Sequence, residues 1–177
     1  MSPLLFILEI LASLLGIGYI VLIANKNSLG WLLGILSCGI FSLLCFYQQL
    51  NSQGIIQLVN VIMGIMGWIT WNQGVKTIRR IPILFMLLVL LLPICYGLSY
   101  VFFNQAPWQE QLDRIALIYS FIATLLTIQF IYQNWYAWVV VNGITMITAF
   151  ANEMYFFSVL SLVYLSLSFY GLIQWRK

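Results

Sequence analysis

Seven runs of apolar residues, each about twenty long, divide the chain at about 3–23, 29–50, 54–73, 82–103, 112–130, 134–152 and 154–174. A helix of that length crosses the roughly 30 Å hydrocarbon core of a bilayer. Backbone polar groups in hydrocarbon must satisfy one another, so each run is predicted to be a transmembrane helix. The breaks between runs are short and polar, and they leave no extramembrane domain to carry a separate activity.

The apolar pattern repeats at an offset of 104 positions without a gap. Trp31 recurs as Trp135, Gly39 as Gly143, Phe46 as Phe150, Gly67 as Gly171 and Trp71 as Trp175. The sparse acids follow it too, because Glu9 falls on Asp113. Spans one to three and five to seven are the two copies, and span four joins them. A three-helix unit ends on the opposite side of the membrane from where it began. One more crossing returns the chain, so the second copy inserts in the same orientation as the first. The fold class expected is therefore all-α and integral to the membrane, with seven helices in a 3+1+3 parallel repeat. Residues 1–75 form the first repeat, 76–110 the linker with span four, and 111–177 the second repeat. Duplicated bundles of this kind are a common transporter plan, with a substrate path between the copies.

Helical geometry, at about 100° per residue, sorts the polar and small residues onto faces. On span three, Gln57, Asn60, Gly64, Gly67 and Trp71 share a sector of about 80°. Their mates on span seven are Ser161, Tyr164, Ser168, Gly171 and Trp175. Span six carries Trp135, Trp138, Asn142, Thr145 and Ala149 on one stripe, and span two carries Trp31, Gly34, Cys38, Phe41 and Cys45. Small residues on a face also serve close helix packing, and Trp near span ends commonly forms an interfacial belt. Both readings stand for the glycines and for Trp31, Trp71, Trp135 and Trp175. Trp138 lies a turn deeper, which favours a lining role. Asn142, Gln57, Asn60 and the Tyr164 hydroxyl need polar partners in hydrocarbon, and contact with a substrate or cavity supplies them.

Composition and charge narrow the class. The chain is 63% hydrophobic and 6% charged, against roughly 25% charged in a soluble domain. Lys26, Lys76, Arg79, Arg80, Arg176 and Lys177 fall on one side of a seven-span layout, leaving Arg114 beside Glu110 and Asp113 on the other. Basic loops face the cytoplasm, so the orientation expected is N-out and C-in. The net charge of +3 then reflects topology, not nucleic-acid binding. Met1-Ser2-Pro3 supplies no basic n-region for a cleavable signal peptide. Cys38, Cys45 and Cys95 all sit within spans, as small packing residues. With no His, no paired acids on one face and no nucleophile–base arrangement, neither a metal site, a cofactor nor an enzymatic activity is expected. No mid-membrane acid is paired with a base, so uncoupled, facilitated transport is favoured over ion-coupled transport. Glu153 is read as a solvated loop acid.

The run Gln133-Asn134-Trp135-x-x-Trp138-x-x-x-Asn142, followed by Tyr164, Gly171 and Trp175, resembles the C-terminal signature of the PnuC vitamin transporters. Trp31-x-x-Gly34, Gln57-x-x-Asn60 and Gly67-Trp68-x-x-Trp71 agree in the first copy. Gln133 stands where the family often has Glu, Asn142 where an acid is common, and Asn60 where a Tyr is common. The resemblance implies a 3+1+3 architecture related to the sugar-transporting SWEET fold, in a bacterial inner (cytoplasmic) membrane. It implies uptake of a B-type vitamin by facilitated diffusion, with a cytosolic kinase trapping the substrate by phosphorylation, and a homotrimer. Nicotinamide riboside is the substrate expected, with thiamine as the alternative. The substrate-binding residues expected are Trp135, Trp138, Asn142, Gln57, Asn60, Tyr164 and Asn134. A small-sugar carrier and a non-transporting structural subunit are the rival readings.

Overall fold

The structure, a computed structural model, describes residues 3–47, 49, 51–73 and 108–176. Six helices are described: α1 Pro3–Ala24, α2 Leu29–Tyr47, α3 Asn51–Asn72, α4 Trp108–Ile128, α5 Asn134–Ala151 and α6 Tyr155–Arg176. The expected span four, 82–103, lies outside the described residues, as do Lys76, Arg79, Arg80 and Cys95. Helix α4 begins four residues before its apolar run, because Trp108-Gln109-Glu110-Gln111 winds on as a polar first turn. Five of the six helices are long and apolar enough to cross a membrane. The sixth, α5, falls short because Asn134, Trp135, Tyr136, Trp138 and Asn142 dilute its hydropathy. That helix carries four of the seven candidate site residues, Asn134, Trp135, Trp138 and Asn142.

The chain divides into two compact units, Met1–Lys76 and Thr77–Lys177. In the first, α2 packs against both α1 and α3; in the second, α5 packs against both α4 and α6. Outward faces are Leu, Ile and Phe. Leu43 is 72% exposed and Phe150 65%, which suits hydrocarbon as surroundings and not water.

The turns repeat hydrogen bond for hydrogen bond. The amide of Asn27 donates to Leu22 O at 2.9 Å and that of Lys26 to Ile23 O at 2.9 Å. In the second unit Ile131 donates to Leu126 O at 2.9 Å and Phe130 to Thr127 O at 3.1 Å. This 6→1 and 5→2 pair is a Schellman ending, which needs a left-handed residue after the cap. That residue is Lys26 at φ 58° and its mate Phe130 at φ 56°. The next turns match as well, with Gln49 and Glu153 both at φ 61°. None of the four is glycine. Phe130 offsets its strain by burying its ring against Trp175, with centroids 6.0 Å apart and planes 22° from parallel.

Each unit is clasped by two indoles and a glycine. Trp31 meets Trp71 edge-on at 5.6 Å and 87°, and Trp135 meets Trp175 at 5.6 Å and 86°. A Cβ on Gly67 would lie 2.5 Å from Trp31 Cδ2, and one on Gly171 would lie 2.5 Å from Trp135 Cδ2. All four indoles are 1–2% exposed. The interfacial-belt reading of these tryptophans is therefore corrected: glycine lets the helix backbone approach the ring face, and the ring is core.

Candidate functional site

The seven expected site residues fall into three groups. In the first unit, Gln57 and Asn60 are half-buried on successive turns of α3, where the Asn60 amide Nδ2 donates to Gln57 Oε1 at 3.4 Å. The bond is long, so each amide keeps polar capacity for another partner.

In the second unit, Trp138 and Asn142 stand one turn apart on α5. The indole N–H of Trp138 donates to Thr127 Oγ1 on α4 at 3.3 Å, and Thr127 itself donates to Ala123 O at 2.7 Å. Asn142 Nδ2 donates to Ser168 Oγ on α6 at 3.1 Å, and Ser168 donates on to Tyr164 O at 2.8 Å. Asn142 is 7% exposed and Ser168 1%. The structure thus joins Asn142 to the Tyr164 turn through Ser168, in a chain crossing two helices. Tethering through Nδ2 holds the rotamer of Asn142 and leaves its Oδ1 as an acceptor.

Asn134 and Trp135 lie apart from this pair, at the N-terminal turn of α5. Asn134 is fully buried, and its Nδ2 donates to Ile131 O at 2.6 Å. Trp135 is packed between Gly171 and Trp175. Asn134 Oδ1 and Trp135 Nε1 are sealed polar atoms without a partner, and so is Trp31 Nε1 in the first unit. Burial places these two residues in the packing of the unit, whereas Trp138 and Asn142 sit deeper along the helix.

Sequence reasoning missed Thr127 and Tyr19. Thr127 is fully buried and receives Trp138. Tyr19 is half-buried in α1, its ring 5.7 Å from that of Trp31. The missed signal was the offset itself, since Tyr19 and Gly34 map onto Ala123 and Trp138. Glu153 is exposed at the α5–α6 turn, as a solvated loop acid should be. No group of acids and cysteines able to hold a metal occurs among the described residues.

Apolar-sheathed helices that carry an indole and amides on their inner faces point to a multi-pass membrane protein. Residues 6–177 match the family described as nicotinamide mononucleotide transporter, and the chain belongs to that family. It is a transporter family, not an enzyme family. The fold is similar to a structure titled "Crystal structure of the Vitamin B3 transporter PnuC". The TM-score is 0.73 at 21% identity, over 96% of this chain and 80% of that one. Comparison with curated protein sequences gives no match.

Proposed function

We propose that this protein carries a heteroaromatic B vitamin, nicotinamide riboside in the first place, across a bacterial cytoplasmic membrane by facilitated diffusion. The observation that carries the reading is the Trp138–Asn142 pair, an indole and a tethered amide one turn apart on α5. A planar ring stacks on the indole, while Asn142 Oδ1 takes a hydrogen bond from the ligand's polar edge. Nicotinamide riboside is an aromatic cation, so indole contact adds cation–π attraction. Thiamine shares that property and is the runner-up. Gln57, Asn60 and Tyr164 supply further polar contacts, and Trp135 and Asn134 belong to the site by way of the turn that positions α5. Phosphorylation by a cytosolic kinase then traps the substrate.

The same reading keeps seven spans in a 3+1+3 parallel repeat, with 1–75 and 111–177 as the copies and 76–110 as linker. It keeps the N-out, C-in orientation and a homotrimer. The described portion supports it by repeating turn, clasp and lipid face at the same offset in both units. Calorimetric titration of nicotinamide riboside, thiamine and riboflavin into the purified protein tests the substrate. Saturable binding of the first sustains the proposal. Preference for thiamine replaces the substrate, and binding of none by folded protein moves the reading to a sugar carrier or a structural subunit.

A further inference from the structure

A hydroxyl has one proton, and where that proton goes fixes the direction of the bonds around it. Ser168 Oγ lies 2.8 Å from Tyr164 O, a carbonyl that can only accept, so the Ser168 proton is spent there. Its Oγ is left with lone pairs, and the Asn142 atom 3.1 Å away must be the donor Nδ2. Thr127 on α4 repeats the logic. Its proton goes to Ala123 O at 2.7 Å, and its Oγ1 accepts the Trp138 indole N–H at 3.3 Å. Thr145, on the same stripe of α5, gives its proton to Val141 O at 2.9 Å. The donors of Trp138, Asn142 and Thr145 are thus turned into the protein.

Asn142 Oδ1 faces the other way. The residue is 7% exposed, yet this oxygen accepts no hydrogen bond among the described residues and is not one of the sealed polar atoms. An amide oxygen so placed suits a partner that the protein does not supply. The tether itself is not needed to join the helices. In the first unit α2 and α3 pack with Cys38 and Gly64 at the equivalent positions, and a Cβ on Gly64 would lie 2.8 Å from Ile35 Cγ1. An apolar contact does there what the amide and hydroxyl do in the second unit. The described basic residues of the second unit also stand beyond side-chain reach of this oxygen. Arg114 is thirteen residues from Thr127 along α4 and Arg176 eight from Ser168 along α6, about 20 Å and about 12 Å at 1.5 Å per residue.

We propose that Ser168 is a specificity-determining residue for the ligand group that meets Asn142. By holding Nδ2 it turns the acceptor Oδ1 to the ligand. The site then selects a ligand that donates there, through a carboxamide or amino group, over one that presents a carboxylate. The inference rests on the vitamin-transport reading and adds the polarity of the ligand's edge. A carboxylate brings only acceptors, so Oδ1 would lose its bond and meet a like partial charge. Releasing the tether lets the amide turn over and offer Nδ2 instead.

Calorimetry on the purified protein compares nicotinamide riboside with nicotinic acid riboside, which differ only in carboxamide against carboxylate. Wild type should bind the amide at least about tenfold more tightly. Ser168→Ala should narrow that ratio about threefold or more, weakening the amide and improving the acid, whereas a general loss of structure would weaken both alike. Ser166→Ala, which removes an exposed hydroxyl bonded within the same helix, should leave the ratio at its wild-type value. If thiamine is the vitamin bound, thiamine and its 4-oxo analogue replace the two ribosides, the amino donor being the group exchanged. Equal affinity for the two members of a pair in wild type, or a ratio unmoved by Ser168→Ala, overturns the inference and leaves the transport reading standing. Binding of neither pair by folded protein overturns the transport reading itself, and the inference with it.

Discussion

Gly171→Ala adds a single methyl group at the tightest point of the second unit. That Cβ would sit 2.5 Å from both Cδ2 and Cε2 of Trp135, well inside the 3.5–4.0 Å at which carbon atoms attract. The obstacle is a rigid bicyclic wall, and it cannot swing aside: Trp135 is 2% exposed and braced edge-on by Trp175. The helix must therefore back away by about 1 Å along its contact with α5. Overpacking of this sort costs about 1–3 kcal/mol. Replacing a helical glycine by alanine returns up to about 1 kcal/mol of helix propensity. The upper end of the first range applies here, because the ring is fixed on both faces, and the net is a loss of roughly 2 kcal/mol. For a chain of this length that lowers the melting temperature by about 4–8 °C.

The control lies in the same chain. A Cβ on Gly143 or on its mate Gly39 meets nothing within 4 Å, so alanine there should leave the melting temperature unchanged or raise it slightly. Gly67→Ala should behave like Gly171→Ala, its ring contact being Trp31 at 2.5 Å. Thermal unfolding followed by tryptophan fluorescence in detergent measures all four. Adding Trp135→Phe to Gly171→Ala should recover part of the loss, since the smaller ring vacates the contested space. If Gly171→Ala and Gly143→Ala melt together, the clasp is not the close contact that holds α5 to α6.

Three further outcomes follow from the same geometry. Asn142→Leu should abolish vitamin binding in calorimetry, while Ser168→Ala, which only releases the amide from its tether, should weaken it two- to threefold, on the order of the 0.6 kcal/mol typical of interhelical bonds; unchanged affinity in Asn142→Leu removes the amide from the site. Glu153→Gly should raise the melting temperature by about 2–4 °C, because an exposed residue at φ 61° gives up roughly 1 kcal/mol of left-handed strain, and a fall would show that the side chain stabilises the turn. Uptake into vesicles should persist when proton and sodium gradients are collapsed, and its loss under that treatment would replace facilitated diffusion by a coupled mechanism.

Much of this architecture was legible because lipid imposes few solutions. Apolar length fixes the helices, so Pro3–Ala24 and Asn134–Ala151 end within a residue of their apolar runs. The turns fall at the breaks between these runs and repeat at the same 104-residue offset. What the sequence could not separate was lining from packing, since both uses draw on the same residues. Trp31 and Trp135 near helix ends fit a belt as well as a core. Only the register of Gly67 and Gly171 against their ring faces decides for the core. Asn142 was visible as an amide in hydrocarbon, yet its partner, Ser168, is 26 residues away on another helix. Tyr19 was overlooked because span one shows no polar stripe, and a lone aromatic there looks like one more apolar residue.

The side-chain exchanges between the copies show how a duplicated frame diverges without losing its contacts. Ser42 on α2 donates to Gly54 O on α3 at 3.0 Å. At the equivalent crossing the donor is Ser158 on α6 and the acceptor Met146 O on α5, again at 3.0 Å. The hydroxyl can change helix freely because every residue supplies a carbonyl, so the bond survives and nothing functional changes. The swap of Tyr19 and Gly34 for Ala123 and Trp138 follows the same rule of preserved volume. There, however, the chemistry differs, with a phenol in one unit against an indole and a tethered amide in the other. Divergence is thus confined to single side chains, while the indole clasps and left-handed turns repeat in both units.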